Sequence, residues 1–119
     1  ITAVYTFNQT KKIYKNLNKK TKSIISIFAG RMADKGKDPI PIFKKSISLV
    51  NRNKNVEILW ASTRESYNYI QAKQLKCNII TAPAKIIDKI NSFGKSFNAL
   101  TLDTVNGFLK DSKKSKFKI

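Results

Sequence analysis

The sequence predicts an α/β fold: a parallel (βα)4 pattern, an open sheet or an arc of a barrel, followed by one further helix. Three observations carry this. Four short runs, 1–7, 23–29, 56–62 and 77–82, are rich in β-branched and apolar residues. Such nearly continuous apolar runs are the pattern of parallel strands covered on both faces. Between them lie stretches with helical spacing of apolar residues, and turn residues mark the breaks. Alternating β and α segments with short loops imply a parallel sheet with right-handed crossovers.

ITAVYTF, residues 1–7, reads as the first strand, with Thr2, Val4 and Thr6 on one face. Asn8 to Lys20 reads as a helix with Ile13 and Leu17 at i, i+4, capped by Asn8 or Thr10. SIISIFA, residues 23–29, is the second strand. Its period of two puts Ser26, Phe28 and Gly30 on one side and Ile25, Ile27 and Ala29 on the other. Met32 to Pro41 reads as a loop punctuated by Gly36, Pro39 and Pro41. Pro41 suits a first helical turn, and Phe43, Ile47 and Val50 make a stripe running to about Arg52. VEILWAS, residues 56–62, is the third strand, with Ile58, Trp60 and Ser62 on one face. A helix starting at Thr63-Arg64-Glu65, with Thr63 as N-cap, carries Tyr67, Ile70 and Leu75 inward. CNIITA, residues 77–82, is the fourth strand, stopped by Pro83. Ile86, Ile87 and Ile90 build a short helix ending near Gly94. Leu102, Val105, Phe108 and Leu109 make a last helix after Thr101, and 112–119 reads as a solvated basic tail. Trp60 is expected in packing, Tyr67 and Tyr69 in helix packing and on the surface. Phe97, Phe108 and Phe117 are expected to dock the last helix.

At 119 residues the chain is one domain at most. It begins at Ile1 inside an apolar run, the start expected of a piece of something longer. A hydrophobic content of 41% is enough for a core. The formal charge of +17 raises nucleic-acid binding as a function. However, 21 of the 24 basic residues are Lys, scattered through most helical segments, and Ile (16) and Asn (11) are abundant while Leu (7) is scarce. Lys, Asn and Ile share AT-rich codons, so genome composition accounts for the bias without a nucleic-acid partner. The single cysteine, Cys77, excludes an internal disulfide and is expected to be buried as a small hydrophobe. Without histidine the commonest general base and His-based metal sites are excluded. No CxxC, Gly-rich phosphate loop or paired-carboxylate arrangement occurs. No 18-residue apolar span and no signal peptide are seen, so the expectation is a cytoplasmic protein off the membrane.

Two of the three arginines, Arg31 and Arg64, follow the C-terminal ends of consecutive strands. Each has a serine at or near the end of its strand, Ser26 and Ser62. Neighbouring strands lie about 4.8 Å apart, so the two guanidinium groups could converge on one dianion. The planar Arg fork suits phosphate oxygens. A helix starting at Thr63 or Arg64 would add its N-terminal amides. On the residues alone, solvated arginines or arginines paired with Asp34 and Glu65 remain an open alternative.

The segment S-I-F-A-G-R, residues 26–31, resembles the Ser-Pro-Phe-Val-Gly-Arg signature of the transaldolase family, in its fructose-6-phosphate-aldolase-like branch. Ile27 and Ala29 replace Pro and Val. The resemblance extends over nearly the whole chain. ITAVYTF resembles the family's fifth barrel strand, SIISIFAGR the sixth, EILWASTRE the seventh and CNIITAP the eighth. GRMADKGKDP resembles its Gly-Arg-Ile-x-Asp-x-Gly-x-Asp loop. It implies a single partial domain, residues 1–119: the C-terminal half of a TIM (β/α)8 barrel. It also implies that Arg31, Ser62 and Arg64 hold a sugar phosphate, and that Ser26 and Phe28 line the reacting end. Thr2 then helps to hold the catalytic water. No cofactor or metal is implied. The family's Schiff-base lysine, on strand four, and its assisting aspartate and glutamate, on strands one and three, have no counterparts here. Lys85 is given no catalytic role.

The resemblance therefore implies a fragment of a class I aldolase that transfers a dihydroxyacetone unit between sugar phosphates and is inactive alone. A non-catalytic sugar-phosphate or anion-binding module is the alternative, and a basic nucleic-acid binder the third reading. An arc with open strand edges is expected to self-associate, to pair with a complementing N-terminal half, or to be marginally stable.

Overall fold

A computed structural model describes residues 1–115. The chain order is α1 (Phe7–Asn16), β1 (Ser23–Phe28), α2 (Ala29–Ala33), α3 (Ile40–Val50), β2 (Val56–Ala61), α4 (Tyr67–Gln74), β3 (Ile79–Ile80), α5 (Ala84–Asn91) and α6 (Phe97–Ser115). The sheet is three-stranded and parallel in the order β1-β2-β3, so the protein is α/β.

The two long apolar runs form its centre. Ser23 to Phe28 pairs with Val56 to Ala61 residue for residue, which places Ile27 beside Trp60 and Phe28 beside Ala61. One face of this pair carries the core. Ile25, Ile27, Ile58 and Trp60 are fully buried there, and Phe43 of α3 stacks on the Trp60 ring at 4.4 Å with planes 26° apart. Burying each such side chain is worth about 1.5–3 kcal/mol. A buried Ser46–Thr10 hydroxyl bond of 3.1 Å ties α3 to α1. On the other face Ser26, Phe28, Glu57 and Leu59 are half-buried and Ile24 is exposed.

The first run is not a regular strand. The Ile1 carbonyl accepts from Ser26 N–H, and Val4 N–H donates to the Ser26 carbonyl. A regular parallel ladder brackets a residue with partners two apart; here they are three apart, so one extra residue bulges out. Ala3 takes up the bulge at φ 60°, and only Val4 bridges Ile27. The run then ends early. Thr6 and Gln9 form a capping box, each side chain taking the other's backbone N–H, so Phe7 starts α1. The N-cap is therefore Thr6, not Asn8 or Thr10.

Other boundaries move as well. The chain turns helical at Ala29, so the expected loop at Met32 opens as the end of α2. The fourth run supplies only Ile79 and Ile80 to the ladder, extended by a Thr81 N–H bond to the Trp60 carbonyl. The last helix starts at Phe97, where the Ser96 hydroxyl takes the Ala99 N–H, and continues through Ser115. Residues 112–115 are thus helical rather than a tail, and 116–119, including Phe117, lie outside the described residues. Phe97 and Phe108 do not dock this helix: they are 86% and 69% exposed, and α6 buries no residue. The projecting helix explains a radius of gyration of 19.5 Å, against roughly 13.5 Å for a compact chain of this length.

Candidate functional site

Phe28 closes β1 and Ala61 closes β2, side by side. The segments just beyond these two strand ends build the site. After Phe28 the chain enters α2 at once, which places Gly30 and Arg31 in its first turn. After Ala61 the backbone turns sharply at Ser62, whose φ of 62° is rare for a residue with a side chain. The buried Thr63 hydroxyl donates to the Thr81 carbonyl at 2.6 Å and anchors this turn to the end of β3. The two segments touch at Gly30. A Cβ there would lie 1.7 Å from the Ser62 carbonyl oxygen and 2.6 Å from Arg64 Cγ. Only a residue without a side chain lets the β2–α4 turn lie against α2.

Arg64 crosses this contact to Asp34, the residue that ends α2. Its Nε and Nη2 both donate to one carboxylate oxygen, Oδ2, at 3.1 and 2.8 Å. Both side chains are about half exposed (50% and 48%). A pair so exposed contributes at most about 1 kcal/mol to stability, and its effect is mainly on where the guanidinium sits. Arg31, three residues before Asp34, lies over the Phe28 ring with Cζ 5.2 Å from the centroid. Tyr5 meets the same ring edge-on at 5.8 Å.

The arginines line adjoining hollows rather than one. Arg31 lines a cleft of about 760 Å³ with Tyr5, Thr6, Met32, Lys35, Lys37 and Ile42. Arg64 lines a shallower one of about 320 Å³ with Ser62, Thr63 and the Thr81–Pro83 segment. Asp34, on the wall of the first, links them. Glu65 makes no ion pair among the described residues, so only the Asp34 half of the ion-paired alternative is present.

Two sequence expectations fail here. The helix after β2 begins at Tyr67, and Thr63 is spent on Thr81 rather than on a cap. The Arg64 and Glu65 amides are taken by the Asn68 side chain at 3.1 and 3.2 Å, so they are not free helix-end donors. Ser26 and Phe28 lie on the half-buried face of β1, opposite the buried face that carries the core. Thr2 is exposed and stands beside the Ala3 bulge. Tyr5 and Asn68 were not singled out from the sequence. An aromatic at the end of a strand-like run was the available signal for Tyr5; Asn68 had none beyond its place in a predicted helix.

Among the described residues no group of three His, Cys, Asp or Glu side chains could hold a metal ion. None of their helices is long and apolar enough to cross a membrane. Cys77, partly buried against the Ile58 carbonyl, has its thiol pKa pushed up by desolvation.

A family model described as transaldolase/fructose-6-phosphate aldolase matches residues 1–119. The chain belongs to the transaldolase/fructose-6-phosphate aldolase family. No curated protein matches it. Family membership assigns the chain to an aldolase-type enzyme family, whose match takes in both strand ends and the α2 segment described above.

Proposed function

We propose that the chain is the phosphate-binding side of a class I, metal-free transaldolase-type site, one that moves a dihydroxyacetone unit between sugar phosphates. One observation supports this most. In a chain matched along its length by the family, Arg31 and Arg64 follow adjacent parallel strand ends, and Gly30 and Asp34 hold their two segments together. In this reading the guanidinium groups and the Ser62 hydroxyl bind the phosphate. Ser26 and Phe28 line the reacting end, and Thr2 serves the catalytic water. The Schiff base is formed on a lysine outside this chain. β1, β2 and β3 carry no lysine, and Lys85 lies exposed on α5. The half-buried face of β1 and β2 is then the lumen of a barrel, closed by strands one to four from a complementing half or by a second copy. A cytoplasmic setting goes with sugar-phosphate chemistry.

The test is calorimetric titration of the chain with fructose 6-phosphate and, in parallel, with fructose. The phosphate ester should bind and fructose should not. Arg31→Ala and Arg64→Ala should each weaken binding roughly tenfold or more, the scale of a lost charge-assisted hydrogen bond. Equal binding of the two sugars would sink the reading. Tight binding to single-stranded nucleic acid that collapses with salt, with no response to sugar phosphate, would replace it with the nucleic-acid reading. Adding a polypeptide that carries strands one to four separates enzyme from binding module: borohydride should then trap a ketose on the complex.

A further inference from the structure

The Arg64–Asp34 contact has a specific shape. Asp34 offers one oxygen to Nε and Nη2, the side edge of the guanidinium. Nη1, and with it the end of the fork, makes no hydrogen bond among the described residues. The stem of Arg64 is held too, since its Cγ lies against the bare Cα of Gly30. Asp34 is fixed in turn by its place at the end of α2, where its N–H donates to the Gly30 carbonyl at 2.9 Å. One end of the side chain is thus braced by packing and the side of its head by a carboxylate. Arg64 lines a hollow shared with Ser62, and its head is half exposed.

Charge alone would argue against a carboxylate here, because it repels an incoming phosphate. The half-exposed pair adds little to stability, so stability does not explain its place either. Orientation does. An arginine side chain free to sample its rotamers must be immobilised when it binds an anion, and a brace removes that cost from the binding step. Resting on the phosphate-binding reading of Arg64, we propose that Asp34 is a positioning residue, which presents the free end of the Arg64 guanidinium to the substrate phosphate. The two effects have opposite signs on affinity, so an experiment can separate them.

The full chain and its Asp34→Ala, Asp34→Asn and Arg64→Ala variants are titrated with inorganic phosphate. Arginine Nε–Hε signals are followed by NMR, and thermal melts check the fold. In the parent chain the Arg64 Nε–Hε signal should be shifted and protected by its bond to Asp34. In Asp34→Ala it should move to the position of a free arginine, and phosphate affinity should fall about two- to tenfold. Asp34→Asn keeps an acceptor oxygen in place without the charge, so it should retain most of the affinity. If Asp34→Ala folds poorly, Asp34→Leu, close to Asp in size and without an acceptor oxygen, takes its place with the same expected loss. Unchanged or tighter phosphate binding in both folded Asp34 variants overturns the proposal, since repulsion would then be the larger effect. So does an Arg64 Nε–Hε signal indifferent to Asp34→Ala. Binding that needs Arg64 but ignores Asp34 removes this inference alone. Binding unaffected by Arg64→Ala removes the phosphate reading and the inference with it.

Discussion

Replacing Gly30 with alanine sets two physical effects against each other. Gly30 lies inside α2, and alanine is favoured over glycine in a helix by about 1 kcal/mol. On local propensity alone Gly30→Ala would stabilise the protein. The tertiary contact says otherwise. The new Cβ would lie 1.7 Å from the Ser62 carbonyl oxygen and 2.9 Å from the carbonyl carbon. Ordinary contact needs about 3.5 Å or more, so the overlap with the oxygen approaches 2 Å. That atom is backbone and cannot swing aside. Its segment is held by the β1–β2 register on one side and by the Thr63–Thr81 bond on the other. Overpacking costs about 1–3 kcal/mol and more where the neighbour cannot yield. With a fixed backbone neighbour the cost is set at about 3–4 kcal/mol, and less the helix gain of about 1 kcal/mol the net effect should be a loss of about 2–3 kcal/mol, a sizeable part of a stability of about 5–15 kcal/mol. For a domain of this size the melting temperature should drop by roughly 10 °C. Thermal melts followed by circular dichroism read this directly. Forcing the turn away also separates Arg64 from Asp34, so the Arg64 Nε–Hε signal should shift in the same variant. A Gly30→Ala protein as stable as the parent, or more so, would refute the close approach of the two segments.

Burial and exposure lead to two more expected outcomes. Cys77 should react with iodoacetamide at pH 8 more slowly than in the urea-unfolded chain, because burial raises its pKa and lowers its thiolate fraction. The raised folded pKa stabilises the protein below the unfolded value of about 9, and this contribution is lost as pH rises through the folded pKa, so stability measured from pH 8 to 11 should fall more in the parent than in Cys77→Ala. The exposed apolar side chains of α6, with the open sheet face, should make the chain associate. Sedimentation should show species heavier than a monomer at micromolar concentration, and Phe97→Ser with Phe108→Ser should reduce them. These two substitutions should leave the melt of the α/β body unchanged, since α6 buries no residue.

The parallel α/β frame could be read from the residues alone. β1 and β2 were legible because a covered parallel strand needs a continuous apolar run, and such runs are rare by chance. The stripe Phe43, Ile47 and Val50 identified α3 because a helix packed on a sheet must repeat near 3.6 residues. Family membership was also written locally, in the residues around Gly30, Arg31, Ser62 and Arg64. One miss was legible in principle: Thr6 and Gln9 spell a capping box, and that local bond outweighed the β preference of ITAVYTF. The rest was decided only by the tertiary structure. Thr63 looks like a helix cap until its hydroxyl finds the Thr81 carbonyl, 18 residues on. Phe97 and Phe108 were expected to dock the last helix, yet they stand in solvent, because an apolar residue on a helix does not reveal what covers it. Arg64 meets Asp34 across 30 residues of chain, and only through a gap that Gly30 leaves open. Local preferences act over a few residues, whereas the site is built from contacts between segments that the sheet brings side by side.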